Sequence, residues 1–150
     1  MIRSLFFAAL ALVAASPASA QSWQLVTLSG KAPQRATWFV DSDSIAIPGT
    51  KGTIRTQTIY EGITDDRDFD RSVHKREVDC STITSTIIDI SYYVGGSLIS
   101  SDQRRGNTVT HQPGSVMYAV VAAACRRSGY IQGPIADPEG WSRKYFAAKP

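Results

Sequence analysis

Along most of this chain, apolar and polar residues alternate at the two-residue period of a strand with one face buried. Trp23 to Leu28 starts the series, and Thr37 to Val40 follows. After it, Asp41-Ser42-Asp43-Ser44 offers short polar side chains that bond local backbone and reverse a chain. Ile45 to Ile47 runs into Pro48-Gly49, a turn signal. From Thr53 to Tyr60, Ile54, Thr56, Thr58 and Tyr60 share one face, with Arg55 and Gln57 on a wet opposite face. Its partner is Ser72 to Cys80, where His74, Arg76, Val78 and Cys80 oppose Val73, Lys75, Glu77 and Asp79. Thr84 to Val94 is the most apolar run and is expected at the sheet centre. Gly95-Gly96 supplies a hairpin turn into Ser97 to Ser101, followed by a polar loop, Asp102 to Asn107.

The period changes once. Pro113-Gly114-Ser115 opens a helix with Ser115 as its N-cap, and Val116, Ala119, Val120, Ala123 and Ala124 recur at helical spacing. Arg126 and Arg127 suit a helix C-terminus, and Gly129 is placed to end it. The tail, punctuated by Gly133, Pro134, Pro138 and Gly140, reads as an extended cover anchored by Trp141, Tyr145 and Phe146. The expected fold is α+β, a single antiparallel sheet of about five to six strands backed by one C-terminal helix.

Residues 1–20 have the form of a cleaved secretory signal: Arg3, an apolar run from Leu5 to Ala15, then Ala18-Ser19-Ala20. The apolar run is too short to span a bilayer, so a periplasmic or secreted, soluble chain is expected, without a lipid-bearing Cys, folded as one domain over 21–150. Export places Cys80 and Cys125 in an oxidising compartment, where they are expected to form a structural disulfide. Without Arg3, 15 basic residues face 13 acidic ones, a balance that excludes nucleic-acid binding as a reading of charge.

Candidate chemistry is sparse. Asp66, Asp68, Asp70 and Glu77 have the spacing of a calcium loop, with Val73 at its apolar position, but Arg71 stands where that loop requires Gly. His74 and His111 have no second His or Cys at ligand spacing, and Ser115 lacks a nucleophile elbow. No metal, cofactor or catalytic set is assigned. Lys75-Arg76, Arg104-Arg105 and Arg126-Arg127, with Arg143-Lys144, are candidates for a basic patch, and Trp141, Tyr145 and Phe146 for an aromatic contact strip.

The order of features resembles the surface-adhesin protein E family: Trp23 to Val26, Phe39-Val40-Asp41 with Ser44-Ile45, Asp79-Cys80, Tyr92-Tyr93, and Pro113-Gly114-Ser115 before a helix carrying Cys125. The resemblance implies an antiparallel sheet disulfide-bonded to the helix. It also implies a non-enzymatic module for extracellular or envelope macromolecules, protein or glycan, in a group that includes homodimers. Two other classes stay open on the residues alone. One is a small exported hydrolase or metal-dependent protein using Asp66, Asp68, Asp70 and a histidine. The other is a carrier with an apolar pocket between helix and sheet.

Overall fold

The computed structural model describes residues 21–148, so the expected leader lies outside the described residues. The strands are β1 (Trp23–Ser29), β2 (Ala36–Ala46), β3 (Lys51–Tyr60), β4 (Arg71–Asp79), β5 (Thr84–Val94), β6 (Ser97–Asp102), β7 (Thr108–Thr110) and β8 (Gln132–Ile135). Helix α1 (Val116–Arg126) lies between β7 and β8, and α2 (Pro138–Ala148) follows β8. The sheet runs β6-β5-β4-β3-β2-β1-β8, with β7 also on β5, and every pairing is antiparallel.

The α+β class agrees with the sequence pattern, but the sheet has eight strands, not five to six. The two additions carry little periodic signal: β7 is three residues long, and β8 contains Gly133 and Pro134, which look like loop punctuation. β5 is not the central strand. It lies one strand from the β6 edge, and its isoleucines are only half-buried, whereas β3 lies mid-sheet.

The Asp41–Ser44 segment does not reverse the chain, because its local hydrogen bonds sit inside β2. Asp41 accepts from the Asp43 N–H (3.2 Å), and the Ser44 hydroxyl donates to the Asp41 carbonyl (2.7 Å) while accepting from the Arg55 N–H (2.9 Å). These bonds absorb a register shift against β3, and the strand continues to Ala46. Gly52 makes this irregularity fit, since a Cβ there would meet the Ala46 carbonyl and stand 2.7 Å from the Ile47 Cα.

Helix α1 covers one sheet face. The Ser115 hydroxyl caps it by accepting from the Tyr118 N–H (3.1 Å). Its apolar side meets Val26, Val40, Ile45, Ile54 and Val78, with Val120, Val121 and Ala124 almost wholly buried. Arg127, rather than Gly129, forms the left-handed C-cap at φ 52°, and its N–H returns to the Ala123 and Ala124 carbonyls. The Cys80–Cys125 disulfide ties the helix end to the chain just after β4.

The tail is helical where an extended cover was expected. Ser142 and Phe146, four residues apart, turn one side of α2 onto the sheet. Phe146 joins Trp23, Leu25, Phe39, Ile59 and Ile135 in a second core on the opposite face. Ser142 shares a 2.7 Å hydroxyl bond with Thr37, and the Arg143 guanidinium donates to the Tyr60 carbonyl (2.7 Å) and pairs with Asp70 (2.9 Å). Ile59 and Gln57 are therefore buried on the side of β3 expected to be wet.

Beyond α1, its sheet face is closed by rings and buried polar groups. Thr58 and Ser72, each 1% exposed, form a floor of small residues between Trp38 and Tyr92 in register across four strands. Four rings run in sequence there, Trp38 to Tyr60 (6.4 Å), Tyr60 to Phe69 (5.6 Å) and Phe69 to Tyr92 (4.5 Å). Next to them, Arg76 donates to the Thr56 hydroxyl (3.3 Å) and the Ser85 hydroxyl (3.5 Å). His74 is buried with its Nδ1 atom unpartnered. Burial, and then the nearby Arg76 charge, push the His74 ring down to about 3 from its ordinary 6.5, and burial lowers Arg76 to about 10.

Two predictions follow from this packing. Converting both cysteines to alanine frees a loop whose ends are 45 residues apart, and the expected loss in urea unfolding is about 4 kcal/mol. His74 sets an acid limit. Above pH 6.5 the ring is neutral in both states, but as pH falls towards about 3 only the unfolded chain takes up its proton. Stability should then fall by up to about 1.4 kcal/mol per pH unit. Unfolding titrations between about pH 7 and pH 4 should show a shallower slope in His74→Leu, and equal slopes would refute the assignment.

Candidate functional site

Helix α2 packs on the β1–β3 side of its face, and beyond it the outward side chains of β3, β4 and β5 make up the surface, with Gln57, Val73 and Thr86 buried among their neighbours. Antiparallel register sets them in rows. Lys51, Asp79 and Thr84 form one, Thr53, Glu77 and Thr86 the next, then Arg55, Lys75 and Asp89, and finally Gln57, Val73 and Ser91. A bulge in β5 between Ile87 and Asp89, opposite Arg76 and Lys75, adjoins the third row. A bulge bends its strand and increases local twist.

Two clefts occupy this surface and share Thr53. The first, about 470 Å³, is lined by Lys51, Glu77, Asp79, Thr84, Thr86, Arg105 and Thr108 among others. The second, about 430 Å³, is lined by Ser44, Ile54, Arg55, Val73, Lys75, Asp89 and Ser91. Their electrostatics differ. In the first, the polar groups engage one another: Lys51 with Asp79 (3.3 Å), Arg105 with Glu77 (2.6 Å), and Thr86 with Thr108 (2.7 Å). The Arg105 hydrogen bond holds Glu77 below the usual carboxylate range. Asp79 is lowered chiefly by the Ser81 hydroxyl and backbone N–H, with Lys51 adding less. In the second cleft, the Arg55, Lys75 and Asp89 side chains form no ion pair with described residues, and the Thr53 and Ser91 hydroxyls make no hydrogen bond to them.

The basic residues singled out in the sequence do not converge. Neighbours on a strand face opposite ways. Lys75 therefore lines the second cleft while Arg76, 8% exposed, is buried beneath the other face. Arg105 lines the first cleft, and Arg104 turns to Asp102 in an exposed pair (2.7 Å). Arg126 is exposed at the end of α1, and Arg127 donates to the Ile45 carbonyl (3.1 Å). The aromatic trio packs rather than forming a free strip. Phe146 is 6% exposed, Trp141 meets Phe39 edge-on (6.2 Å), and Tyr145 stacks on Trp141 (5.6 Å).

The acidic residues are also dispersed. Asp66 accepts from the Thr64 hydroxyl (2.6 Å), Asp70 is held by Arg143, and Glu77 by Arg105. No group of three or more His, Cys, Asp or Glu side chains among the described residues is arranged to hold a metal. Among the described residues one serine–histidine contact is present, Ser85 Oγ to His111 Nε2 at 2.8 Å. Ser85 is 3% exposed and its hydroxyl also meets Arg76 on the α1 face, so the contact belongs to the buried polar cluster. The space between α1 and the sheet is filled by the valines, isoleucines and alanines of the core.

The sequence reading missed Thr53, Arg55, Asp89 and Ser91. Each is an outward strand position, and alternation identifies it as such. What alternation lacks is register, the quantity that sets Arg55 beside Lys75 and both beside Asp89.

No helix among the described residues is long and apolar enough to cross a membrane. Comparison with curated proteins and with solved structures gives no match. The family model described as Surface-adhesin protein E matches residues 23–126, from the first residue of β1 to the last of α1. That span contains β1 to β7, both cysteines and the rows of both clefts, and the chain belongs to the surface-adhesin protein E family.

Proposed function

We propose that this is an exported, non-enzymatic binding module, a domain over residues 21–150 released from a signal at 1–20, that holds an extracellular or envelope macromolecule against its open sheet face. Membership of an adhesin family supports a binding role in general. The observation that carries the choice of surface is the pair of clefts meeting at Thr53, a concave polar strip that α2 leaves uncovered. Strands hold such a surface rigidly, which lowers the ordering cost of binding. The serine–histidine contact does not favour a hydrolase reading, because the Ser85 hydroxyl is nearly inaccessible and also meets the Arg76 guanidinium.

Thr53→Trp tests this placement, since it fills the junction with a residue that strands accept readily. The intact mature protein is assayed on immobilised extracellular-matrix glycoproteins, with its thermal midpoint measured alongside. Saturable binding weakened about tenfold by Thr53→Trp, a loss of about 1.4 kcal/mol, is the expected outcome at unchanged stability. Binding at full strength by the variant would move the site elsewhere.

A further inference from the structure

We infer that the second cleft is a subsite for an acidic saccharide, with Arg55 and Lys75 taking its carboxylate or sulfate group and Asp89, Ser91 and Thr53 its hydroxyls. The inference rests on the proposed binding role of this face and names a ligand class for it.

Arg55 and Lys75 are directly opposed across β3 and β4. Like charges in that relation destabilise a sheet, and the fold does little to relieve it here. Asp89 stands opposite Lys75 on β5, yet no carboxylate of the described residues comes within ion-pair distance of either cation. Arg55 is also half-buried, so its guanidinium is partly stripped of water. An anion seated between the two cations would turn repulsion into attraction.

The contrast with the first cleft sharpens the case. There, the lysine, arginine, glutamate, aspartate and a threonine pair satisfy one another. In the second, two cations, one carboxylate and two hydroxyls point from adjoining rows without engaging described residues. Ser44 is excluded from this set, because its hydroxyl is committed to Asp41 and Arg55 backbone.

The chemistry of the set selects the ligand. Two cations alone would suit any anion. A carboxylate acceptor and two hydroxyls beside them match a ligand that has several hydroxyl groups as well as a negative charge, which is a uronic or sulfated sugar. An acidic peptide would present backbone amides and apolar side chains, and this cleft offers only Val73 as an apolar side chain, since Ile54 packs in the core under α1. At about 430 Å³ the space suits a short saccharide segment, and the shared Thr53 lets a longer chain continue into the first cleft.

Calorimetric titration of the mature protein with heparin octasaccharide, hyaluronan octasaccharide, neutral dextran and polyglutamate tests the assignment. The expected result is binding of one or both acidic glycans, none of dextran, and weakening as salt rises. Arg55→Gln with Lys75→Gln should reduce glycan affinity at least about tenfold. A charge-matched control, Arg126→Gln with Lys144→Gln at two exposed positions, should change it less than about twofold. Equal loss in both double variants, or preference for polyglutamate, would overturn the proposal. If no glycan binds while Thr53→Trp still weakens matrix binding, the saccharide assignment fails and the cleft survives as a binding face. If Thr53→Trp is also without effect on matrix binding, both fail together.

Discussion

Two short helices cannot cover this sheet, and that geometric constraint decides where its surfaces are. An 11-residue helix is about 16 Å long, whereas an 11-residue strand such as β2 or β5 spans about 36 Å. Seven strands side by side add a width of about 30 Å. Each helix therefore shields less than half of its face, and the remainder must be closed by side chains or left to water. The two faces resolve this differently. On the α1 face, Trp38, Tyr60, Phe69 and Tyr92 lie over a floor of threonine and serine, and Arg76, Thr56, Ser85 and His111 form a polar cluster inside. On the α2 face beyond Phe146, hydroxyls and charges stand in rows facing solvent.

The disulfide and the tail hold these covers at opposite ends of the energetic scale. A link from Cys80 to Cys125 acts mainly on the unfolded chain, by removing conformations from a long loop. The tail helix has no covalent tie and relies on one aromatic anchor, a hydroxyl pair and arginines reaching backbone carbonyls. Arg35 is the chief of these, buried against Glu61 and donating to the Phe146 carbonyl (2.7 Å), with Tyr145 and Phe146 rings beside its guanidinium. Removing charge there would leave Glu61 without its principal partner, and Arg35 is what holds that carboxylate below its usual range.

How much of this was legible in the sequence depends on whether a feature is local. The Ser115 cap, the Gly95-Gly96 turn and the alternation of Thr53 to Tyr60 follow from side-chain chemistry at one place in the chain, and the structure contains them, although the face expected to be wet is buried at Gln57 and Ile59. The Cys80–Cys125 bond followed from the expectation of an oxidising compartment and from a count of two cysteines. What failed depended on partners. Asp41-Ser42-Asp43-Ser44 has the chemistry of a turn, but pairing with β3 keeps it in a strand and turns its local bonds into a bulge. Pro138 and Gly140 suggested irregular chain, yet proline is acceptable in the first turn of a helix, and a core of Phe39, Ile59 and Trp23 stabilises what propensity alone does not.

The same distinction explains why the basic pairs misled. Adjacent cations in sequence look like a patch, but on a strand adjacency separates them: Lys75 reaches the cleft and Arg76 the interior. The spatial neighbour of Lys75 is twenty residues away, at Arg55 on the opposing strand. Arg76 shows what an interior cation without a carboxylate partner requires here, namely hydroxyls from Thr56 and Ser85 and a lowered affinity for its own proton. Arg55 and Lys75 have no such provision from the described residues, and with Arg55 half-exposed and Lys75 exposed in a cleft they do not need it, since water or a ligand can supply what the fold omits. The sheet thus pairs its charges in one cleft and, among the described residues, leaves them unpaired in the adjoining one, a difference set by register rather than by composition.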